Sequence, residues 1–239
     1  MPNESILVLG HIGVIAVLAL IGVGIFRRSF NLGWLVAALV LYAVYDFLLT
    51  RGFHAIPNWP EGADWNWLGK IMSFAGMLIV AALPMFGFKR TGVTLKQAPN
   101  SLLAYVLFAG LSALFFYFAI SGADGKPDDL ETIAFQWTMP GLDEELFFRG
   151  VFLLAMNEAF SPRANILGAR IGYGGLLTSV VFGLVHAMDY GAGGFSFDAM
   201  TFTVTGGPSL LLLWLREKTG SLLLPVIAHN IANGAFTLF

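Results

Sequence analysis

The amino-acid sequence predicts an all-α fold, a polytopic membrane protein built as a bundle of about eight transmembrane helices. Three observations predict it. Hydrophobic residues fill 57% of the 239 positions and charged residues only 12%, with a mean hydropathy of +0.75. Soluble domains carry roughly 25% charge, so most of this chain lacks the water-facing surface a soluble domain needs. Apolar stretches near the length that crosses hydrocarbon recur from end to end. Finally, Lys and Arg gather in alternate connections, the pattern that orients membrane helices.

In chain order the spans fall at about 6–26, 32–50, 68–88, 101–120, 138–159, 172–190, 198–215 and 221–238. Met1 to Ser5 has no basic residue, and Arg27 and Arg28 follow the first apolar run, the reverse of a cleavable signal peptide. The first span is therefore expected to stay in the mature protein. Lys70 stands near the start of the third span, where its ammonium is expected to extend to the interface. Trp59, Trp65 and Trp67 precede it as an aromatic belt. The connections 51–67 and 121–137 hold Pro, Gly and acidic residues and read as surface loops. The chain reads as one integral membrane domain over 1–239, with four motif-free spans in 1–120 and four motif-bearing spans in 138–239.

With the N-terminus outside, nine basic residues (Arg27, Arg28, Lys89, Arg90, Lys96, Arg163, Arg170, Arg216, Lys218) face the cytoplasm and only Arg51 and Lys126 face away. Both termini are then non-cytoplasmic, and the cytoplasmic (plasma) membrane is the expected location. The net charge of -2 gives no support to nucleic-acid binding. The absence of Cys excludes disulfides, thiolate metal sites and a cysteine nucleophile. No serine stands in a nucleophile-elbow pattern, and the HExxH zinc motif is missing.

The fifth span carries Gly141-Leu-Asp-Glu-Glu-Leu-Phe-Phe-Arg-Gly150. A charge at mid-membrane costs roughly 2.5 to 3.5 kcal/mol on insertion scales, so these side chains need compensation. Glu145 and Arg149 stand i,i+4 and can pair along one face. Glu144 points about 100° away and must meet a polar cavity or another helix. His186, in Phe182-Gly-Leu-Val-His186, and His229, with Asn233 at i+4, lie in later spans. Glu144, His186, His229 and Asn233 fall about six, four, nine and five residues from the outer ends of their spans, ~6 to ~14 Å deep, in the same half of the membrane. His11 and Asp46 read as internal hydrogen-bonding groups, His54 as loop, and Pro208-Ser209 as a helix irregularity.

Glu144-Glu145-x-x-x-Arg149, Phe182-x-x-x-His186 and His229-x-x-x-Asn233, in this order on separate spans, resemble the CPBP (CAAX protease and bacteriocin-processing, or Abi) family of intramembrane proteases. The eight-span count is similar to that of the Ras-converting CAAX prenyl proteases. The resemblance implies an endopeptidase for a membrane-associated peptide or lipid-anchored protein among membrane lipids. It implies that Glu144 with His186 activates a water, that His229 and Asn233 stabilise the oxyanion, and that Glu145, Arg149 and Phe182 support them. No cofactor is then needed. An older reading of the family makes Glu144, His186 and His229 ligands of zinc. Prenyl-protein processing takes place at the cytoplasmic side, whereas the charge bias puts this cluster in the outer half, so either the substrate is not a cytosolic prenyl protein, which is the preferred reading, or the orientation is the reverse. Rival functions are a proton-coupled transporter using the same groups as a relay, and a non-catalytic membrane partner or immunity factor.

Overall fold

The computed structural model describes residues 2–52, 60–123 and 125–239. Each apolar stretch predicted as a span is helical over most of its length, although the last three residues of 172–190 belong to a strand. Helix α1 (Pro2–Ile25) and α2 (Leu32–Thr50) are joined by a short turn in which Asn31 caps α2 by accepting the Trp34 amide. Helix α3 (Trp67–Ala82) is capped by Asn66. It ends six residues earlier than expected. A single turn, α4 (Phe88–Thr91), then leads towards α5 (Leu102–Ser121). Among the described residues, Asn3–Ile25, Leu32–Thr50 and Leu102–Ser121 are long and apolar enough to cross a membrane by length and composition. The chain is an integral membrane protein of mostly helical structure.

The connection 121–137 is not all loop. Asp129 accepts the amides of Glu131 and Thr132 and starts α6 (Leu130–Gln136). The expected fifth span is one helical run in three parts: α7 (Met139–Glu145), a π-helical turn over Leu146–Val151, and α8 (Phe152–Ala159). Such a turn holds one extra residue, and single π turns frequently sit at functional sites. Two hairpins escaped the periodicity reading because their strands are only four residues long. They are β1 (Arg163–Ile166) with β2 (Ala169–Gly172), and β3 (Met188–Gly191) with β4 (Gly194–Phe197). Between them runs α9 (Tyr173–Ala187). Helix α10 (Ala199–Thr219), capped by Asp198, contains Pro208 and stops at Gly220 in the left-handed region, and α11 (Leu223–Gly234) closes the bundle.

Small residues set the helix spacings that position the site. A Cβ on Gly183 would lie 3.0 Å from the Gly206 Cα, so α9 and α10 meet backbone to backbone. A Cβ on Gly141 would lie 2.5 Å from the Val226 carbonyl oxygen and from Asn230 Oδ1. Helix α7 therefore presses on α11, and the Gly141 amide, one of the first-turn donors with no intrahelical partner, donates to buried Asn230 at 2.8 Å. The core centres on the π turn: Phe147 and Phe152 stack with ring centroids 5.2 Å apart, and Tyr45 of α2 stacks on Phe147 at 3.9 Å.

Candidate active site

The DEE sequence at the end of α7 sends three carboxylates in three directions. Glu145, with no exposed surface, lies 3.1 Å from the Arg149 guanidinium, the i,i+4 pair expected from spacing. The same Oε1 accepts His229 Nδ1 at 2.8 Å. Arg149 also donates to Ser209 Oγ at 2.8 Å and lies over the Phe182 ring, 4.2 Å from its centroid. Ser209, which follows the helix proline, is thus a buried partner and not only an irregularity.

Glu144 turns to the opposite side. Its Oε1 pairs with Lys70 Nζ at 2.6 Å, and Lys70 also lies 3.0 Å from Asp143 Oδ2. The expectation that Lys70 extends to the interface is corrected here: the residue is 8% exposed and its ammonium is held between two carboxylates. Asp143, fully buried, accepts Ser73 Oγ at 2.6 Å and Tyr45 OH at 2.8 Å. The sequence marks Lys70 only as an interfacial residue, and it assigns no part in the site to Asp143, Ser73 or Tyr45. A signal existed, because 143–145 are three consecutive acids while Arg149 is the one base on their helix, and Lys70 was the other base inside a predicted span.

The second oxygen of Glu144 is buried and has no hydrogen-bond partner. It faces His186 Nε2 at 3.7 Å and His229 Nε2 at 3.9 Å. Both distances are too long for a direct hydrogen bond and too short for a water in line, so a water that meets these groups sits to one side of them. The outer ring nitrogens fix the tautomers. His186 Nδ1 is 2.7 Å from the Phe182 carbonyl, which can only accept, so Nδ1 carries a proton, and the tautomer that this bond selects has a bare Nε2. For His229 the carboxylate of Glu145 plays the accepting role. Phe182 packs on the His186 ring with centroids 4.6 Å apart and edge-on to His229 at 5.8 Å.

Two cavities meet at His186. One, of about 250 Å³, is lined by Phe182, His186, His229 and Asn233 with apolar side chains of α5 and α10. The other, of about 240 Å³, is lined by Glu144, His186, His11, Tyr42, Tyr45 and Asp46. The structure thus brings Glu144, His186 and His229 together and sets Asn233 in the cavity that the two histidines share. Asn233 Nδ2 donates to Gln136 Oε1 at 3.3 Å. His11 and Asp46 are internal hydrogen-bonding groups as expected: His11 bonds Tyr42 OH at 2.8 Å, and Asp46 pairs with Arg51 and Thr50. His54 and Trp59 lie outside the described residues.

The cluster thus gathers a buried carboxylate and two imidazoles at the meeting of two cavities. Residues 127–235, a little under half of the chain, match the family model described as Rce1-like, type II CAAX prenyl endopeptidase. No curated protein and no solved structure matches the chain. The matched segment includes Glu144, His186, His229 and Asn233, and excludes Lys70. The segment that carries the motifs, residues 127–235, belongs to the CPBP family of CAAX-type membrane endopeptidases.

Proposed function

We propose that the protein is an intramembrane endopeptidase that hydrolyses a membrane-associated peptide or lipid-anchored protein by glutamate- and histidine-activated water. One observation carries the reading: a buried carboxylate oxygen of Glu144, free of hydrogen bonds, faces both imidazole Nε2 atoms at 3.7 and 3.9 Å, close enough for one water beside them to touch the carboxylate and an imidazole together.

In the reaction, Glu144 Oε2 and the bare Nε2 of His186 orient a water. As its oxygen bonds to the scissile carbonyl carbon, Glu144 takes the proton and the carbonyl π pair moves to oxygen. Asn233 donates to that oxyanion from the adjoining cavity. His229 donates from Nε2 when its ring carries both protons, a state whose charge Glu145 compensates through Nδ1. The C–N bond then breaks, and the amine leaves with the proton held by Glu144. Loss of one oxyanion donor from such a site costs about 3 kcal/mol of barrier.

The same convergence of Glu144, His186 and His229 favours the zinc reading as the second one, but these residues fit the ion poorly. The Lys70 ammonium at 2.6 Å from the same carboxylate repels a divalent cation, and among the described residues no group of three His, Asp or Glu is arranged to hold one. We therefore favour a mechanism without a cofactor. Activity that survives strong chelation supports it; activity lost to chelation and restored by zinc overturns it.

The bias of basic residues supports a site that opens away from the cytoplasm, in the cytoplasmic membrane, with one domain over 1–239. Single cysteines placed in the connections 121–137 and 161–171 test it with a membrane-impermeant thiol reagent. Labelling of the first from outside fits this orientation. Labelling of the second instead reverses it and makes cytosolic prenylated chains the substrate class.

A further inference from the structure

We propose that Lys70, which lies in the half of the chain that carries no family motif, is the positioning residue of Glu144, and that Asp143 in turn orients Lys70. The proposal rests on the peptidase reading of the site and adds to it a part drawn from α3.

A lysine in an apolar helix would ordinarily extend to water along its flexible stem. Lys70 does not. Its ammonium lies 2.6 Å from Glu144 Oε1 and 3.0 Å from Asp143 Oδ2. Asp143 has no freedom of its own, because Ser73 Oγ and Tyr45 OH each donate to one of its oxygens. The backbone is constrained as well. A Cβ on Gly69 would lie 2.2 Å from the Leu49 carbonyl oxygen, so α3 rests directly on α2 at the residue before the lysine.

The consequence falls on the other oxygen of Glu144. A glutamate has three rotatable side-chain bonds, and in a poorly hydrated site a free carboxylate would turn to any donor within reach, His229 Nε2 included when that ring carries both protons. Tethered through Oε1, it cannot. Oε2 stays 3.7 and 3.9 Å from the two Nε2 atoms and remains an acceptor for water. Asp143 serves the next step too: when Glu144 takes a proton and loses its charge, the ammonium keeps a carboxylate partner and is never left bare in the membrane. This is the logic of a base oriented by a third group, here an Asp143–Lys70–Glu144 chain.

The alternative is that Lys70 only balances charge. Lys70→Met with Asp143→Asn separates the two, because it removes the cation and one anion together and keeps the network's net charge. The double variant is expected to lose about 100-fold in kcat with KM within about twofold, as for a reacting group displaced by about 1 Å. Parental kcat in the double variant would overturn the positioning role. A thermal-melting cycle of Lys70→Met, Glu144→Gln and both together is independent of catalysis. The pair should be non-additive, with the double variant more stable than the summed losses predict, and additive losses would overturn the pairing itself. If the parent cleaves nothing, the peptidase reading fails while the melting cycle still decides the pair.

Discussion

The two halves of this protein are apolar for different reasons. In α1, α2 and α5, only 28%, 22% and 11% of the most apolar window is buried, so those side chains meet lipid. From residue 145 to 157, by contrast, every residue is buried by protein. Helices α1, α2 and α5 are hydrophobic because of their solvent and residues 145–157 because of their packing, and the packed segment holds Glu145 and Arg149 as a buried pair. Yet the halves are not independent. Tyr45, Lys70 and Ser73 reach from α2 and α3 into the acidic run of α7, so the motif-bearing half relies on the other for its charge balance.

The comparison breaks most severely at Arg149. Arg149→Ala leaves Glu145 buried without its cation, and an expected loss of about 3 to 5 kcal/mol should appear as a large drop in melting temperature in detergent, together with lost activity. A variant of full heat resistance would show that the pair is not structural. The cross-half link is tested by Tyr45→Phe, which removes one donor to the buried Asp143 carboxylate at an expected cost of about 1.5 to 3 kcal/mol. Gly141→Ala should cost about 1 to 3 kcal/mol, because its methyl group would meet backbone of α11 at 2.5 Å. As α11 carries His229, the same variant should slow cleavage more than its melting shift suggests. At the lipid face, Val106→Ala should change stability by less than about 0.5 kcal/mol, since the side chain is 58% exposed and exchanges lipid contacts for lipid contacts.

The helices were legible in the sequence because lipid-facing and core-facing residues are both apolar, so each span reads as a continuous run. Glu144, His186, His229 and Asn233 were legible because polar groups are rare in such runs. What escaped had weaker signals. The π turn at Leu146–Val151 changes hydrogen-bond register without changing composition. The β1–β2 and β3–β4 hairpins are too short for their alternation to stand out. Helix α6 was hidden in a polar connection whose start signal, Asp129, is also ordinary loop chemistry. Lys70 escaped for another reason. A single lysine near a helix end has an inexpensive default, the extension to water, and only its spatial relation to Asp143 and Glu144 rules that out.

The central claim is that Glu144 is the base of a hydrolytic site. Purified protein in lipid vesicles, incubated with membrane-tethered peptides both prenylated and unprenylated and read by product mass, tests it directly against Glu144→Gln. The account predicts cleavage by the parent and a loss of about 10³-fold or more in the variant, with the fold retained. Cleavage by Glu144→Gln at the parental rate would contradict it.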